Sequence, residues 1–400
     1  MTTTLDFPLF AARAEGYRPS PVRDFWAVSM QPGVISLAGG NPDLSVLPLG
    51  ELGDVAARLV ATRGLDALQY GAGKGTDGAR AAVVRVMDAE GIAVDPDSIQ
   101  ITAGSQMALE LVVKLLCDPG DVVLAEGPSY VGAIGVFAGL EASVVHVPMD
   151  DGGLRPDALE ATIAQVRSEG RRIKALYTIP NFHNPTGITL AADRRPEIVR
   201  ICADAGIAII EDNPYGLLAF DGVTLPSLHD LDPENVFYLG SFSKIVAPGL
   251  RVGWAAVPRS ARRRLQLAAE ATTICASVLS QMIIEEYVTR HDWLGVLDRA
   301  RALYLARSQA VQDALVAHAP AGTQWSVPRG GFFTWLTLPE GASASHVLDA
   351  AIENRVVFVP GTAFFADGQG QGNLRVAFSL ENEATLAEGV ARLGAAIATA

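Results

Sequence analysis

Residues 240–254 read GSFSKIVAPGLRVGW, with a lysine preceded by two serines and an arginine seven residues further on, in a setting otherwise small or apolar. The chain barely uses lysine. Of 31 Lys and Arg residues only Lys74, Lys114, Lys174 and Lys244 are lysines, and the other 27 are arginine. Beside abundant alanine, that bias fits a GC-rich coding sequence in which arginine serves wherever any positive charge will do. A lysine that persists invites a chemical explanation, because lysine, unlike arginine, sheds its proton at accessible pH and attacks a carbonyl to form an imine. Composition alone does not separate Lys244 from the other three, for each of which a solvated surface charge is the ordinary state.

Position separates it. Outward from the stretch, NVFYLGSFS reads as a strand leading into the lysine and RVGWAAVP as a strand leading away. From about residue 50 short β-rich runs such as SIQIT, DVVLAEGPS, IKALYTIP and IAIIED alternate with amphipathic helical segments, the signature of a mainly parallel α/β sheet. A helical stretch over roughly 259–318 comes next. GFFTWLTLP, a helix near 343–354, VVFVPGTAFF, NLRVAFS and a last helix then read as a smaller α+β domain. The Pro- and Gly-rich first forty-odd residues read as an extended arm with one short helix. The expected division is an arm over 1–45, a large domain over 46–288 and a small one over 289–400.

Composition excludes several classes. With 400 residues, 49% hydrophobic and 19% charged, the chain is globular and long enough for a sizeable core. Its apolar runs fall short of the roughly 20 residues that span a bilayer, and no secretion signal is read, so a cytoplasmic protein with no membrane partner is expected. A formal charge of −13 argues against nucleic acid, and the cluster Arg262 to Arg264 reads as a solvated helix face. Cys117, Cys202 and Cys275 read as buried free thiols, and with six scattered histidines no metal centre is expected. GAGKGT at 71–76 fails the phosphate-loop template, because Gly75 stands at the hydroxyl position.

In open α/β sheets ligands sit at the carboxyl ends of strands. Asn184 falls just past one such strand, Asp212 and Tyr215 past another, and Ser241, Ser243 and Lys244 past a third. Taken singly each has an ordinary explanation: NPTG is good turn chemistry, Asp212 can cap the next segment, and Ser105 in AGSQ can cap a helix or present that helix's free N–H groups to phosphate.

Taken together, Asn184, Asp212 with Tyr215, and SFSK with Arg251 resemble the pyridoxal-phosphate-dependent aminotransferases of fold type I, over nearly the whole chain. SPVRDF, ISLAGGNPD, LQYG, EGPSYVGAI, GSFSKIVAPGLRVGW and GGFFTWLTLP are most similar to the 2-aminoadipate and kynurenine aminotransferase branch. The resemblance implies a large domain built on a mainly parallel seven-stranded sheet plus a smaller α+β domain. It implies that Lys244 holds the cofactor as a Schiff base and shuttles a proton, and that Asp212 keeps the pyridine nitrogen protonated. Asn184 and Tyr215 then donate to the phenolic oxygen. Ser105, Gln106, Ser241, Ser243 and Arg251 take the phosphate, and Tyr130 stacks on the ring. Tyr70 reaches the phosphate of the neighbouring subunit, which implies a homodimer with shared sites. Arg375 grips the substrate α-carboxylate with its guanidinium fork, Gly40 lines the substrate pocket, and Arg23 meets a distal carboxylate. Two departures stand out, Asn213 where an aspartate is usual and His183 where glutamine is frequent; the sequence leaves open whether His183 faces substrate or solvent.

The activity these residues imply is amino transfer between an L-amino acid, with glutamate as default donor, and a 2-oxo acid, in a ping-pong cycle; the partner is 2-aminoadipate, an aromatic or another non-standard amino acid. A decarboxylase, lyase, racemase or oxidase on the same fold is the alternative, and a non-catalytic effector-sensing domain a remote one. Lys244→Arg keeps the charge and removes the imine chemistry. The variant is expected to lose both the visible absorbance of the lysine–cofactor imine and turnover, with an unchanged far-ultraviolet circular dichroism spectrum.

Overall fold

The structure, a computed structural model, describes residues 10–16 and 26–400. Its largest sheet has eight strands, in the order Ile99–Thr102, Gly253–Ala256, Val236–Ser241, Ala208–Asp212, Ile173–Thr178, Val122–Gly127, Ser143–Asp150 and Gly153–Leu154. The five strands from Val236–Ser241 to Ser143–Asp150 are mutually parallel. Gly253–Ala256 runs antiparallel to both of its neighbours. The eighth strand exceeds the expected seven. It is a two-residue return of Ser143–Asp150, made possible by a tight turn in which Gly153 adopts φ +86° and Asp150 Oδ1 accepts from the Gly152 N–H.

Both faces of this sheet are covered, so its strands need continuous apolar runs. Alternation sorts the side chains: Val122, Leu124, Leu176 and Ile209 pack in one cluster with the helices Pro156–Ser168 and Arg194–Ala205. Val123, Ala125, Tyr177 and Ile210 face the other way, toward the helix Ser105–Leu116 and the rest of the main core. The lysine stretch closes on itself within that core. Gly240 lies opposite Trp254 in the ladder, and a Cβ on Gly240 would come within 2.2 Å of the indole. Trp254 is 1% exposed and packs against Phe242 with centroids 5.0 Å apart.

The helical stretch after the sheet is three helices, Arg262–Thr273, Val278–Arg290 and Trp293–His318. Side-chain caps mark the starts of the last two: Ser277 accepts from the Ser280 N–H and Asp292 from the Gly295 N–H. A second, antiparallel sheet has the order Gln324–Trp325, Phe333–Thr337, Asn373–Ala377 and Val359–Pro360. The run VVFVP thus serves two sheets, because Val356–Val357 pairs in parallel with Ile35–Ser36 of the arm. Beyond that pairing the arm is held by Leu37, whose N–H donates to Val357 O at 2.8 Å and whose carbonyl accepts from Ala377 N at 2.8 Å. Residues 38–41 are thereby carried across the edge of the large sheet at which Lys244 lies.

Because the indole of Trp254 occupies the space a side chain at residue 240 needs, Gly240→Ala is expected to destabilise the fold by about 2 kcal/mol. Denaturant titration checks this, and an unchanged midpoint contradicts the packing argument.

Candidate active site

Lys244 sits in the turn after Val236–Ser241, half-buried, with Nζ 2.8 Å from Gly40 O of the arm and 5.6 Å from the centre of the Phe332 ring. Burial lowers its pKa to about 8, and the cations Arg375 and Arg251 act in the same direction. An amine in that range is available as a nucleophile near neutral pH. Gly40 leaves no room for a side chain, since a Cβ there would lie 2.5 Å from Phe333 Cζ.

Asp212 ends the neighbouring strand on the face that carries Ile210. Its Oδ2 accepts from the Tyr177 hydroxyl at 2.8 Å, while Oδ1 is buried without a hydrogen-bond partner. Burial raises its pKa to about 6 against the lowering effect of Tyr177. A buried carboxylate oxygen with nothing to accept from is costly. It marks the spot where a proton donor belongs.

Arg375 enters from the second sheet, 2% exposed. One terminal nitrogen donates to Asn184 Oδ1 at 2.8 Å, the other to Ala38 O of the arm, and Nε is buried without a partner. The guanidinium lies 4.2 Å from the ring centre of Phe333 and 5.0 Å from that of Phe364, and burial brings its pKa down to about 10. The Tyr215 hydroxyl is hydrogen-bonded to Asn184, its ring meets Phe332 edge-on at 5.4 Å, and burial raises its pKa well above the ordinary value.

A cup of donors lies beside Lys244. Gly104, at φ +90°, precedes the helix that begins at Ser105, so the N–H groups of Ser105 and Gln106 are among those a helix leaves without internal acceptors. Arg251, at φ +52°, donates to Ala103 O at 2.7 Å. Both glycines here are required: a Cβ on Gly104 would lie 2.5 Å from the Arg251 guanidinium, and one on Gly253 would lie 2.6 Å from Ser105 N. Ser241 Oγ and Ser243 Oγ are 2.9 Å apart on the same rim. The Gln106 carboxamide turns away to Gly132 O at 2.8 Å, leaving its backbone N–H as that residue's donor to the cup. Tyr130, half-buried at the start of the helix Val131–Gly139, influences the titration of both Tyr215 and Arg375.

Tyr70, Arg23 and His183 do not extend this cluster among the described residues. Tyr70 is 74% exposed on a cleft of about 420 Å³ lined with Leu65, Val278 and Met282, and does not join this cluster within its own chain. Arg23 lies outside the described residues. His183 faces neither substrate nor solvent, being 1% exposed with Nε2 at 3.1 Å from Glu126. Asn213 also turns inward: its Nδ2 donates to Glu90 Oε2 at 2.6 Å and its Oδ1 accepts from Asn181 at 3.0 Å. Sequence reasoning missed Tyr177, Phe332, Phe333 and Phe364. For Tyr177 a signal existed, a hydroxyl-bearing aromatic near the carboxyl end of a parallel strand.

The donor set fits pyridoxal phosphate: a nucleophilic amine, a buried carboxylate oxygen in want of a donor, and a cup of N–H, hydroxyl and guanidinium groups. The family model described as aminotransferase class I and II matches residues 32–393. The chain is 37% identical to a 2-aminoadipate transaminase of Thermus thermophilus, over 97% of this chain and 96% of that one. It is 35% identical to an aromatic-amino-acid aminotransferase of Thermococcus litoralis, over 98% of this chain and 95% of that one. The crystal structure of a Pyrococcus horikoshii kynurenine aminotransferase, in complex with pyridoxamine phosphate, matches with a TM-score of 0.93 at 33% identity, covering 98% of this chain and 97% of that one. The chain belongs to the class I and II aminotransferases, pyridoxal-phosphate-dependent enzymes of fold type I.

Proposed function

We propose that this enzyme transfers an amino group between L-glutamate and a 2-oxo acid in a ping-pong cycle, with 2-aminoadipate or an aromatic amino acid as the partner. The observation that carries the reading is the convergence in one cleft of the Lys244 amine, the unpartnered Asp212 Oδ1 and the Arg375–Asn184 pair. The names of the aromatic and 2-aminoadipate relatives support the substrate class.

Pyridoxal phosphate, when bound, supplies the carbonyl that the amine attacks and an electron sink for the negative charge developed at the substrate Cα. Lys244, with a pKa of about 8, takes and returns the Cα proton without holding it too tightly. Asp212 Oδ1 holds the proton of the pyridine nitrogen, and Tyr177 fixes that carboxylate in place through Oδ2. Asn184 spends its oxygen on Arg375, so its Nδ2 is the end left for the phenolic oxygen, beside the Tyr215 hydroxyl. Ser105, Gln106, Ser241, Ser243 and Arg251 bind the phosphate, and Tyr130 covers the ring. Arg375 grips the α-carboxylate, and Gly40 lines the substrate pocket next to it. Arg23 meets a distal carboxylate. Tyr70 reaches the phosphate of a second copy, so the working unit is a homodimer, which also covers the cleft where Leu65, Val278 and Met282 lie among Arg63, Asp66, Asp77 and Glu285. Residues 1–45, 46–288 and 289–400 act as arm, large domain and small domain of a cytoplasmic enzyme.

Three outcomes test this. Against a panel of 2-oxo acids, the pyridoxamine form is expected to turn over 2-oxoglutarate and either 2-oxoadipate or an aromatic 2-oxo acid; product without conversion between the two cofactor absorbances contradicts transamination. Arg375→Lys is expected to lower kcat/KM about 100-fold, since a point charge replaces a two-pronged donor. Asp212→Asn separates function from stability. With its pKa raised to about 6, ionised Asp212 costs the cofactor-free fold nothing below about pH 4, progressively more up to pH 6, and a constant amount above. The variant is therefore expected to melt higher than wild type at pH 7.5 and alike at pH 4 without cofactor, while turnover of the cofactor-loaded enzyme falls about 100-fold or more.

A further inference from the structure

The loop over 179–188 carries Asn184, and a buried contact between an imidazole and a carboxylate that takes no part in the chemistry above mounts it on the sheet. His183 Nε2 lies 3.1 Å from Glu126 Oε2, both side chains being 1% exposed. Glu126 stands one residue before the end of Val122–Gly127, and its carboxylate also accepts from the Thr178 hydroxyl and from the Ile179 N–H, each at 2.8 Å. On the far side of the imidazole, Nδ1 is 3.0 Å from the Thr186 hydroxyl, and the Thr186 N–H points at the same nitrogen from 3.5 Å. The Thr186 N–H can only donate, so Nδ1 accepts, which leaves the ring's proton on Nε2, the nitrogen that faces Glu126 Oε2 at 3.1 Å without an aligned hydrogen bond. The imidazole is thus held between Thr186 on one side and the Glu126 carboxylate on the other.

The backbone locks around this axis. His183 N donates to Ile188 O at 2.8 Å, and Gly187 N donates to His183 O at 2.6 Å. Phe182, held at φ +49°, packs its ring where side chains on Gly330 and Gly331 would otherwise stand. The next residue after His183 is Asn184, bonded through Oδ1 to Arg375.

We propose that Glu126 and His183 are positioning residues for Asn184: they set the height of this loop over the sheet and so aim the Arg375 fork at the substrate α-carboxylate. The inference rests on the proposed role of Arg375 as the carboxylate grip. Neither residue touches substrate or cofactor. A purely structural pair, once weakened, lowers the melting temperature and the yield of folded enzyme but leaves ligand affinity and KM of the folded fraction unchanged. A positioning pair changes affinity for carboxylates.

The test compares cofactor-loaded Glu126→Gln, His183→Gln, His183→Asn and Arg375→Lys with wild type. Glutarate and 3-phenylpropionate serve as probes, titrated through the cofactor absorbance, alongside KM and kcat for the amino acid that wild type turns over fastest. A glutamine amide N–H falls near the position of an imidazole Nε2, whereas asparagine reaches only as far as Nδ1. Glu126→Gln and His183→Asn are expected to weaken binding of at least one probe and raise KM about tenfold, with kcat affected less, while His183→Gln stays within about threefold of wild type. Weakened binding in Arg375→Lys together with unchanged binding in Glu126→Gln and His183→Asn overturns the inference alone. Unchanged binding in Arg375→Lys overturns the reading of Arg375 on which it rests. Should Glu126→Gln fail to fold, the two His183 variants decide, and equal affinities for both probes overturn the proposal.

Discussion

Parallel strands deliver their carboxyl ends to one edge of a sheet, and the cluster around Lys244 and Asp212 depends on that constraint. Tyr177, Asp212 and Ser241 come from three separate stretches of chain, yet the ladder registers Tyr177 with Ile210 and Asp212 with Leu239, so their side chains share one face in a stagger of two residues per strand near the carboxyl ends. The reversal at Gly253–Ala256, one strand in from the edge, is equally necessary. Because Gly253–Ala256 runs back against Val236–Ser241, the chain that leaves Lys244 must turn, and Arg251 is brought to the same rim as the start of the helix at Ser105. Parallel order collects the acids and hydroxyls, and the reversal adds a cation.

The cleft inverts the charge of the protein around it. The chain carries a formal −13, but Lys244, Arg251 and Arg375 gather where Asp212 is the carboxylate the site turns toward its ligand. Burying a cation is unfavourable, which is why the pKa values of both Lys244 and Arg375 fall, and for Lys244 the crowding by Arg375 and Arg251 adds to the effect of burial. The same crowding makes the site a sink for anions, and a phosphate and a carboxylate are the two groups that an amino acid and this cofactor bring. An acidic exterior around a cationic cleft also discourages anionic polymers from binding elsewhere on the surface.

Much of this was legible in the sequence because it depends on residue type at a strand end. Lys244, Asp212, Asn184 and Arg251 could be placed by pattern, since the chemistry admits few substitutes at each. The residues that escaped depend on contacts between distant segments. Tyr177 is one aromatic among several in apolar runs, and only its meeting with Asp212 gives it a task. The aromatic collar of Phe332, Phe333 and Phe364 around the two cations comes from the start of the strand Phe333–Thr337 and from the short helix Gly361–Phe364, whose mutual packing no local pattern encodes. His183 and Asn213 were visible as departures but not as inward-facing groups, because a loop's side-chain directions are set by tertiary hydrogen bonds rather than by a period. The eighth strand was too short to leave a pattern at all.

The arm makes ligand binding an exchange. Ala38 O and Gly40 O already accept from Arg375 and Lys244. On the proposed role of Arg375, an arriving carboxylate competes with a backbone carbonyl for a donor already in use, and the free energy of binding is a difference between two acceptors. A neutral amide or ester is a poor competitor for that place, whereas an anion gains from every nearby cation. The arm so acts as a threshold: it keeps the guanidinium from being satisfied by weak ligands, and any shift of residues 38–40 resets the affinity for all carboxylates at once without altering one residue of the grip itself.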